Sequence, residues 1–226
     1  DVESRGLGDV YKRQMLFVII LFFLSSCEAD DPEISKISEG IGVFGGSISS
    51  LPESEIAKDI WRKELNLKVT THGIGGAGFT ISTKNNILQQ IAEAPVYDIY
   101  ILWASTNDTK GATVGNIGSM DLSTQNGAIN KCISLIRERN GKAQIFFFIS
   151  LPTFDNNQKL ASFVQGQKEI CTYLKIPYLD QFNMFDVGNC QNYYYEDRVH
   201  LRESGYAKIA PFQVKFLSEN IQENSK

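Results

Sequence analysis

Short apolar runs alternate with longer amphipathic segments along most of this chain. The runs are bounded by glycine, proline or polar residues, which is typical of strands that are covered on both faces. They comprise residues 41–44, 67–71, 96–103, 143–151 and 176–179. The run at 143–151 is almost continuously apolar and ends at Pro152, which predicts a central strand.

Between these runs, apolar residues recur at helical spacing. In the first such segment Ile56, Ile60 and Trp61 share one face, which predicts a helix that packs on a sheet. The predicted helices comprise residues 52–65, 87–94, 122–139, 160–174 and 203–221. Strands that alternate with helices predict an α/β fold, in which a parallel sheet of about five strands lies between two layers of helices.

The first 39 residues do not follow this pattern. Residues 1–14 have no apolar periodicity, and we interpret them as an extension outside the fold, with Met15 as the start of the protein. Residues 15–27 begin with an apolar run that is too short to span a bilayer and end in Ser25-Ser26-Cys27, and they resemble a bacterial lipoprotein signal. That resemblance implies cleavage before Cys27 and a lipid on its thiol, and a plain signal peptide is the alternative. Residues 28–39 are acidic and polar, which favours a flexible tether.

The composition fits a single globular domain, which we place at residues 40–226. Of the 226 residues 42% are hydrophobic and 21% are charged, enough apolar material for one core. The net charge of -4 and the scattered lysines and arginines argue against nucleic acid as a partner.

Cysteine and histidine usage argues against a structural metal site. Four cysteines lie far apart without a C-x-x-C pair, and the chain has two histidines. A disulfide between Cys171 and Cys190 and buried free thiols are both compatible with the sequence.

Polar residues follow several of the predicted strands. Ser47 comes after the turn Gly45-Gly46, a glycine-rich loop occupies 73–78, and Asn107 follows the strand at 96–103. The carboxyl ends of parallel strands meet at one edge of a sheet, so these groups are expected to lie together. Asp197 and His200 form a further cluster before the last helix.

This set of residue types suits nucleophilic catalysis. A serine hydroxyl attacks well when an imidazole takes its proton, and a carboxylate on the far ring nitrogen orients that imidazole. Ser47, His200 and Asp197 fit these three roles. Each alone has an ordinary alternative, as a turn serine, a surface histidine or a solvated carboxylate.

The four clusters together resemble the sequence blocks of the SGNH, or GDSL, hydrolase family, in the family's order. Residues 44–49 resemble the nucleophile block, 71–76 the glycine block, 103–108 the asparagine block and 197–206 the last block. The sequence departs from the family at two positions. Gly46 replaces the aspartate of GDSL, and Ser105 stands where the family usually has glycine.

The resemblance implies a flavodoxin-like, three-layer α/β/α fold and a serine esterase that works through an acyl-enzyme without metal or cofactor. It implies Ser47, Asp197 and His200 as the catalytic residues. It also implies an oxyanion hole made by the backbone N–H groups of Ser47 and Gly76 and the side-chain amide of Asn107.

Family resemblance further implies a substrate with small acyl groups on carbohydrate, or with acyl chains on lipids or thioesters. A protein secreted across the inner membrane and lipid-anchored in the periplasm or on the cell surface favours deacetylation of a polysaccharide. We expect His72 and Trp103 to be substrate contacts. The sequence gives no indication of oligomeric state.

Two other classes of function are weaker interpretations. Gly73-x-Gly75-x-x-Gly78 formally matches a dinucleotide-binding fingerprint, but the next helix begins several residues later and Asp98 opens its strand instead of closing it. A non-catalytic glycan-binding module would explain Gly46 and Ser105. Such a module has no need of the intact Ser47, Asp197 and His200.

Overall fold

Five parallel strands form one sheet in the order β2-β1-β3-β4-β5 in the computed structural model, which describes residues 38–154, 157–185 and 191–222. The strands are β1 (Ser38–Gly45), β2 (Val69–Thr71), β3 (Tyr97–Trp103), β4 (Gln144–Phe148) and β5 (Tyr178–Leu179). β3 lies at the centre of the sheet, between β1 and β4. The predicted parallel sheet is confirmed.

Six α-helices connect or follow these strands among the described residues. They are α1 (Ser47–Ser50), α2 (Glu55–Leu65), α3 (Ile87–Glu93), α4 (Gln125–Arg139), α5 (Asn157–Leu174) and α6 (Glu203–Asn220). Short 3-10 turns occupy Pro52–Ser54 and Asn107–Lys110. No helix in the described ranges is long and apolar enough to cross a membrane.

The sheet is covered on both faces, as the three-layer α/β/α prediction requires. Ile99, Ile101 and Trp103 of β3 point into a core that contains Trp61 of α2 and Ile209 of α6. On the opposite face, Tyr100 and Leu102 pack in a second core with side chains of α3, α4 and α5. Alternation along a strand that is buried on both sides explains why its sequence is almost wholly apolar.

One strand ends and one helix begins at a different residue than the sequence predicts. β4 stops at Phe148, although Ile149 and Leu151 remain buried. The helix predicted from residue 122 begins at Gln125, because the Thr124 side chain caps it by accepting from the Gly127 N–H.

Several predictions for the ends of the chain lie outside the described residues. These are the extension at 1–14, the signal segment at 15–27 with its lipid-bearing Cys27, and the tether at 28–39 except for Ser38 and Glu39. Those two residues belong to β1. Cys132 and Cys171 are buried free cysteines, and Cys190 also lies outside the described residues.

A buried glutamine fixes the carboxyl end of β1. The Gln90 side chain accepts a hydrogen bond from the Gly45 N–H at 3.1 Å and donates to the Gly45 carbonyl at 3.0 Å. Both backbone groups are buried, so no water is available to replace the amide. Gln90 is therefore a structural requirement of the strand end that leads to Ser47.

We predict that Gln90→Leu lowers the free energy of unfolding by about 1–3 kcal/mol, because it leaves the buried Gly45 N–H without a partner and the Gly45 carbonyl with the Ile74 N–H alone. The neighbouring exposed Gln89→Leu is the matched control and should change stability little. Urea denaturation monitored by circular dichroism measures both. Equal stability of the two variants would contradict the role given to Gln90.

Candidate active site

The turn at the end of β1 places Ser47 at the carboxyl edge of the sheet. β1 ends at Gly45 and Ser47 is the first residue of α1, so its backbone N–H has no partner within that helix. A Cβ on Gly45 would lie 2.6 Å from the Trp103 carbonyl oxygen, so the turn requires glycine there. Ser47 itself is half-buried.

The other two members of the predicted triad come from one tight turn. The Asp197 Oδ1 atom accepts hydrogen bonds from the backbone N–H groups of Val199 and His200, at 2.9 and 3.0 Å. The Asp197 Oδ2 atom lies 2.6 Å from the His200 Nδ1 atom. The carboxylate therefore fixes both the turn and the orientation of the imidazole.

The structure brings this pair to the serine. The His200 Nε2 atom lies 2.8 Å from the Ser47 Oγ atom across 153 positions of sequence. The hydroxyl, the imidazole and the carboxylate thus form a continuous hydrogen-bonded chain. This is the arrangement in which an imidazole can take a proton from serine while a carboxylate stabilises the imidazolium.

The turn also controls the charge on Asp197. Partial burial alone raises the pKa of the Asp197 carboxyl, but the hydrogen bonds from the His200 and Val199 backbone and from the His200 ring outweigh it and lower the pKa below its ordinary value. The carboxylate thus stays ionised to lower pH than a free aspartate. Because the Asp197 side chain is 49% exposed, solvent moderates the effect.

Tyrosine hydroxyls tie the last block of sequence to the first. Tyr206 of α6 donates to the Ile48 carbonyl at 2.7 Å, one residue from Ser47. The Tyr195 hydroxyl donates to the Glu53 carboxylate at 2.6 Å. Both contacts hold the segment that carries His200 against the segment that carries Ser47.

The glycine loop after β2 approaches the same edge. Gly76 has φ of +80°, a conformation that favours glycine, and no described residue accepts a hydrogen bond from its N–H. The loop leads to a helix only at Ile87, whereas a dinucleotide fingerprint opens directly into one. The dinucleotide interpretation finds no support in this geometry.

Asn107 lies against the turn that precedes Ser47. Its Nδ2 atom donates to the Ala77 carbonyl at 2.9 Å and lies 3.3 Å from the Ser105 hydroxyl oxygen. A Cβ on Gly46 would be 3.2 Å from the same nitrogen. The amide has two N–H donors, and the long contact to Ser105 leaves the second one weakly held.

Asp108 holds the glycine loop in place and was given no role by the sequence analysis. Its buried carboxylate accepts hydrogen bonds from the backbone N–H groups of Phe79 and Thr80 and from the Thr80 hydroxyl, all within 2.9 Å. A Cβ on Gly78 would lie 2.6 Å from the carboxylate. The position directly after Asn107 is the only sequence signal that pointed to it.

Lys58 is a second residue that the sequence analysis missed. Its side chain is 1% exposed, and its ammonium group donates to the Ser49 carbonyl at 3.0 Å, to the Thr71 hydroxyl at 2.8 Å and to Glu55. It therefore joins α1, α2 and the end of β2 just behind Ser47. Burial lowers the pKa of Lys58.

The two predicted substrate contacts have different outcomes. The prediction for Trp103 is wrong, because the indole is 1% exposed and packs in the core against Trp61 and Phe148. His72 is half-buried, stacks on Phe44 and lies 2.7 Å from the Tyr97 hydroxyl through Nε2. Burial lowers the pKa of His72. Contact of His72 with substrate stays a prediction.

The two departures from the family pattern are in contact with each other. A Cβ on Gly46 would lie 2.9 Å from the Ser105 Cβ and 2.6 Å from the Ala77 carbonyl oxygen. The Ser105 hydroxyl donates to that same carbonyl at 2.8 Å. The serine thus uses space that is open because residue 46 has no side chain.

We predict that Gly46→Ala lowers the free energy of unfolding by about 1–3 kcal/mol through this overlap. In a Ser105→Gly background the added cost of Gly46→Ala should be smaller, because one of its two close contacts is gone while that with Ala77 remains. A double-mutant cycle from urea denaturation measures the coupling. Strictly additive effects would show that the two positions do not share this space.

Most of the chain matches a known protein family. The sequence pattern of the GDSL-like lipase/acylhydrolase family matches residues 42–208, which include both the Ser47 turn and the His200 turn. No match was found among curated proteins. Within the described residues, no group of three or more histidine, cysteine, aspartate and glutamate side chains could hold a metal ion.

Solved structures share the fold at low sequence identity. A Lactobacillus plantarum protein is 15% identical with a TM-score of 0.70, and the match covers 82% of this chain and 99% of that one. A protein of Chitinophaga pinensis described as a possible lipase is 18% identical with a TM-score of 0.66, covering 80% and 98% of the two chains. The lipase/acylhydrolase of Enterococcus faecalis is 15% identical with a TM-score of 0.61, covering 82% and 98%.

The strand-end serine, the histidine turn that meets it and the match over residues 42–208 lead to one conclusion. The chain belongs to the GDSL-like lipase/acylhydrolase family and is an ester-hydrolysing serine hydrolase.

Proposed function

We propose that this protein is a carbohydrate O-acetyl esterase in which Ser47, His200 and Asp197 form the catalytic triad. The observation that carries the assignment of the triad is the 2.8 Å contact between Ser47 Oγ and His200 Nε2, backed by the 2.6 Å contact to Asp197. Near it, Gly76 and Asn107 supply the donors that an oxyanion requires.

In the first half of the proposed reaction, Ser47 attacks the carbonyl carbon of the ester. His200 takes the hydroxyl proton on Nε2, and a bond forms between Ser47 Oγ and that carbon. The carbonyl oxygen becomes an oxyanion that accepts hydrogen bonds from the N–H groups of Ser47 and Gly76 and from the Asn107 amide. One such donor stabilises the transition state by about 3 kcal/mol.

The intermediate collapses when the bond from the carbon to the alcohol oxygen breaks. His200 gives its proton to the departing alcohol, which leaves an acyl group on Ser47. Water then attacks this acyl-enzyme by the same route, with His200 as the base. The acid product leaves, and the serine hydroxyl is restored.

The polar surroundings of the site support a polar substrate over a long acyl chain. The recess next to Asn107 is lined by glycines, hydroxyl groups and lysines, and its lining contains no large apolar side chain among the described residues. A long acyl chain gains affinity from apolar walls, whereas a sugar is bound by hydrogen bonds. This favours a short acyl group on a carbohydrate over a lipid or thioester substrate.

The proposal includes a place for the enzyme in the cell envelope. It rests on the sequence alone, in which the apolar segment and Ser25-Ser26-Cys27 resemble a lipoprotein signal. A lipid on Cys27 would hold the enzyme near envelope polysaccharides after secretion, in the periplasm or on the cell surface.

We predict that the full chain hydrolyses 4-nitrophenyl acetate and is labelled by a fluorophosphonate, and that Ser47→Ala loses labelling and at least about 1,000-fold of the turnover. Ser162→Ala, an exposed serine of α5, is the control and should retain both activities. Acetate release from acetylated xylan then tests the carbohydrate part of the proposal. A folded protein without turnover or labelling would contradict the assignment of the triad.

We predict that kcat/KM falls at low pH with the slope of a single proton. His200 must be neutral to accept the serine proton, and Asp197 stays ionised because hydrogen bonds lower its pKa. Initial rates of 4-nitrophenyl acetate hydrolysis across a pH series measure the slope, and a slope of two would mean that a second group must lose its proton.

Asp197→Asn tests the other half of this argument. The amide cannot stabilise the imidazolium, so we expect a loss of about 10,000-fold in kcat without loss of the fold. Steady-state rates with 4-nitrophenyl acetate measure the loss in kcat, and circular dichroism checks that the variant is folded. A variant with native activity would remove Asp197 from the mechanism. A wild-type pH profile of kcat/KM without a decline at low pH would remove His200.

A further inference from the structure

A basic recess lies directly beside the proposed oxyanion donors. It has a volume of about 400 Å³ and is lined by Gly76, Thr83, Lys84, Asn107 and Lys110 among others, and we call it the glycine-loop recess. That volume is in the range of ligand sites in proteins. Because Gly76 and Asn107 line it, a group bound there lies next to the ester carbonyl in the proposed reaction.

The charged side chains that line the glycine-loop recess are all positive. Lys84 and Lys110 are exposed, and no described carboxylate forms an ion pair with either of them. No described acidic side chain lines the recess. The nearest carboxylate in sequence, Asp108, is buried and is occupied by the backbone N–H groups of the glycine loop.

A second recess shares one of these lysines. It measures about 320 Å³ and is lined by Thr106, Lys110, Lys159 and Val199 among others. Thr106 and Val199 are the chain neighbours of Asn107 and His200. Lys110 therefore lines both recesses, and each of them is lined by one further lysine.

This local charge differs from that of the whole molecule. The chain carries a net charge of -4, so it does not attract polyanions in general. Lysines that converge on a cleft without acidic neighbours raise the local concentration of a small anion, even when the protein as a whole is acidic. The glycine-loop recess therefore favours a substrate with one negative group near the ester. It does not favour a polyanion that binds over a wide surface.

We propose that the preferred substrate of this esterase carries an anionic group, such as a carboxylate, on the alcohol side of the ester, and that Lys84 and Lys110 bind that group. This inference rests on the proposed esterase function and narrows its substrate class to acidic esters. A lysine ammonium on a flexible stem suits a single anionic group that approaches from solvent. The hydroxyl and amide groups of the recess suit the polar remainder of the substrate.

A pair of small acetate esters tests the inference. The full chain is assayed with 4-acetoxybenzoate, which is anionic, and with its neutral methyl ester, methyl 4-acetoxybenzoate. The readout is the ratio of kcat/KM for the anionic ester to that for the neutral ester. We expect a ratio above one at low salt that declines as salt is added, because salt screens exposed charges.

Lysine variants locate the effect. Lys84→Gln and Lys110→Gln should each lower the ratio by about two- to fivefold, as expected for exposed charge pairs, and the double variant should lower it further. Lys131→Gln removes an exposed lysine of α4 that lines neither recess, and it should leave the ratio as in the wild type.

The outcomes separate the inference from the function on which it rests. A ratio near or below one that neither salt nor the Lys84 and Lys110 variants change, with both esters hydrolysed, overturns the anionic preference and leaves the esterase intact. If neither ester nor 4-nitrophenyl acetate is hydrolysed, the esterase function fails and the inference fails with it. A ratio that falls equally in Lys131→Gln assigns the effect to overall charge and also overturns the proposal.

Discussion

The close approach of three backbone segments at Gly45 and Gly46 is the constraint on which the site depends. At this point β1 leaves the sheet with no side chain between it and its neighbours. The Gly45 carbonyl accepts from the Ile74 N–H as well as from Gln90, and Gly46 lies against Ala77 and Ser105. Any larger residue would push these segments apart and move Ser47 from the glycine loop.

Two buried side chains, Asp108 and Lys58, hold the segments that surround these glycines. Asp108 fixes the glycine loop through its backbone N–H groups, and Lys58 fixes α1 through the Ser49 carbonyl. Each ion is satisfied by several hydrogen bonds, which offsets the cost of burying it. Asp108 and Lys58 therefore fix the glycine loop and the helix that begins at Ser47, and neither takes part in the proposed chemistry.

The hydrophobic pattern was sufficient to predict the sheet, its parallel direction and the helices on both faces, because strands covered on both sides leave a nearly continuous apolar signature. The sequence blocks also identified Ser47, Asp197 and His200, which the structure brings together. Their spacing could not show that Trp103 turns into the core. Side chains alternate along a strand, and without a reference for the faces the pattern does not say which one meets the cleft.

The residues that sequence analysis missed are polar side chains with long-range partners. Gln90 lies in a short helix that is capped by Asn86, and its neighbour in the chain is the apolar Ile91. Its hydrogen-bond partner Gly45 is 45 positions away. A polar residue on an apolar helix face was a usable signal, since Gln90 falls at helical spacing from Ile87. The identity of its partner depends on tertiary contacts that local patterns do not contain.

The distance of 153 positions between Ser47 and His200 has a consequence for how the protein is made. Ser47 follows the first strand, whereas His200 precedes the last helix, so a growing chain can pair β1, β3 and β4 well before the histidine is synthesised. The sheet can form before the histidine turn exists, and the hydrogen bond from Tyr206 to the Ile48 carbonyl can form only after α6 has been synthesised. The contact between the Ser47 hydroxyl and the His200 imidazole can therefore form only when synthesis is nearly complete.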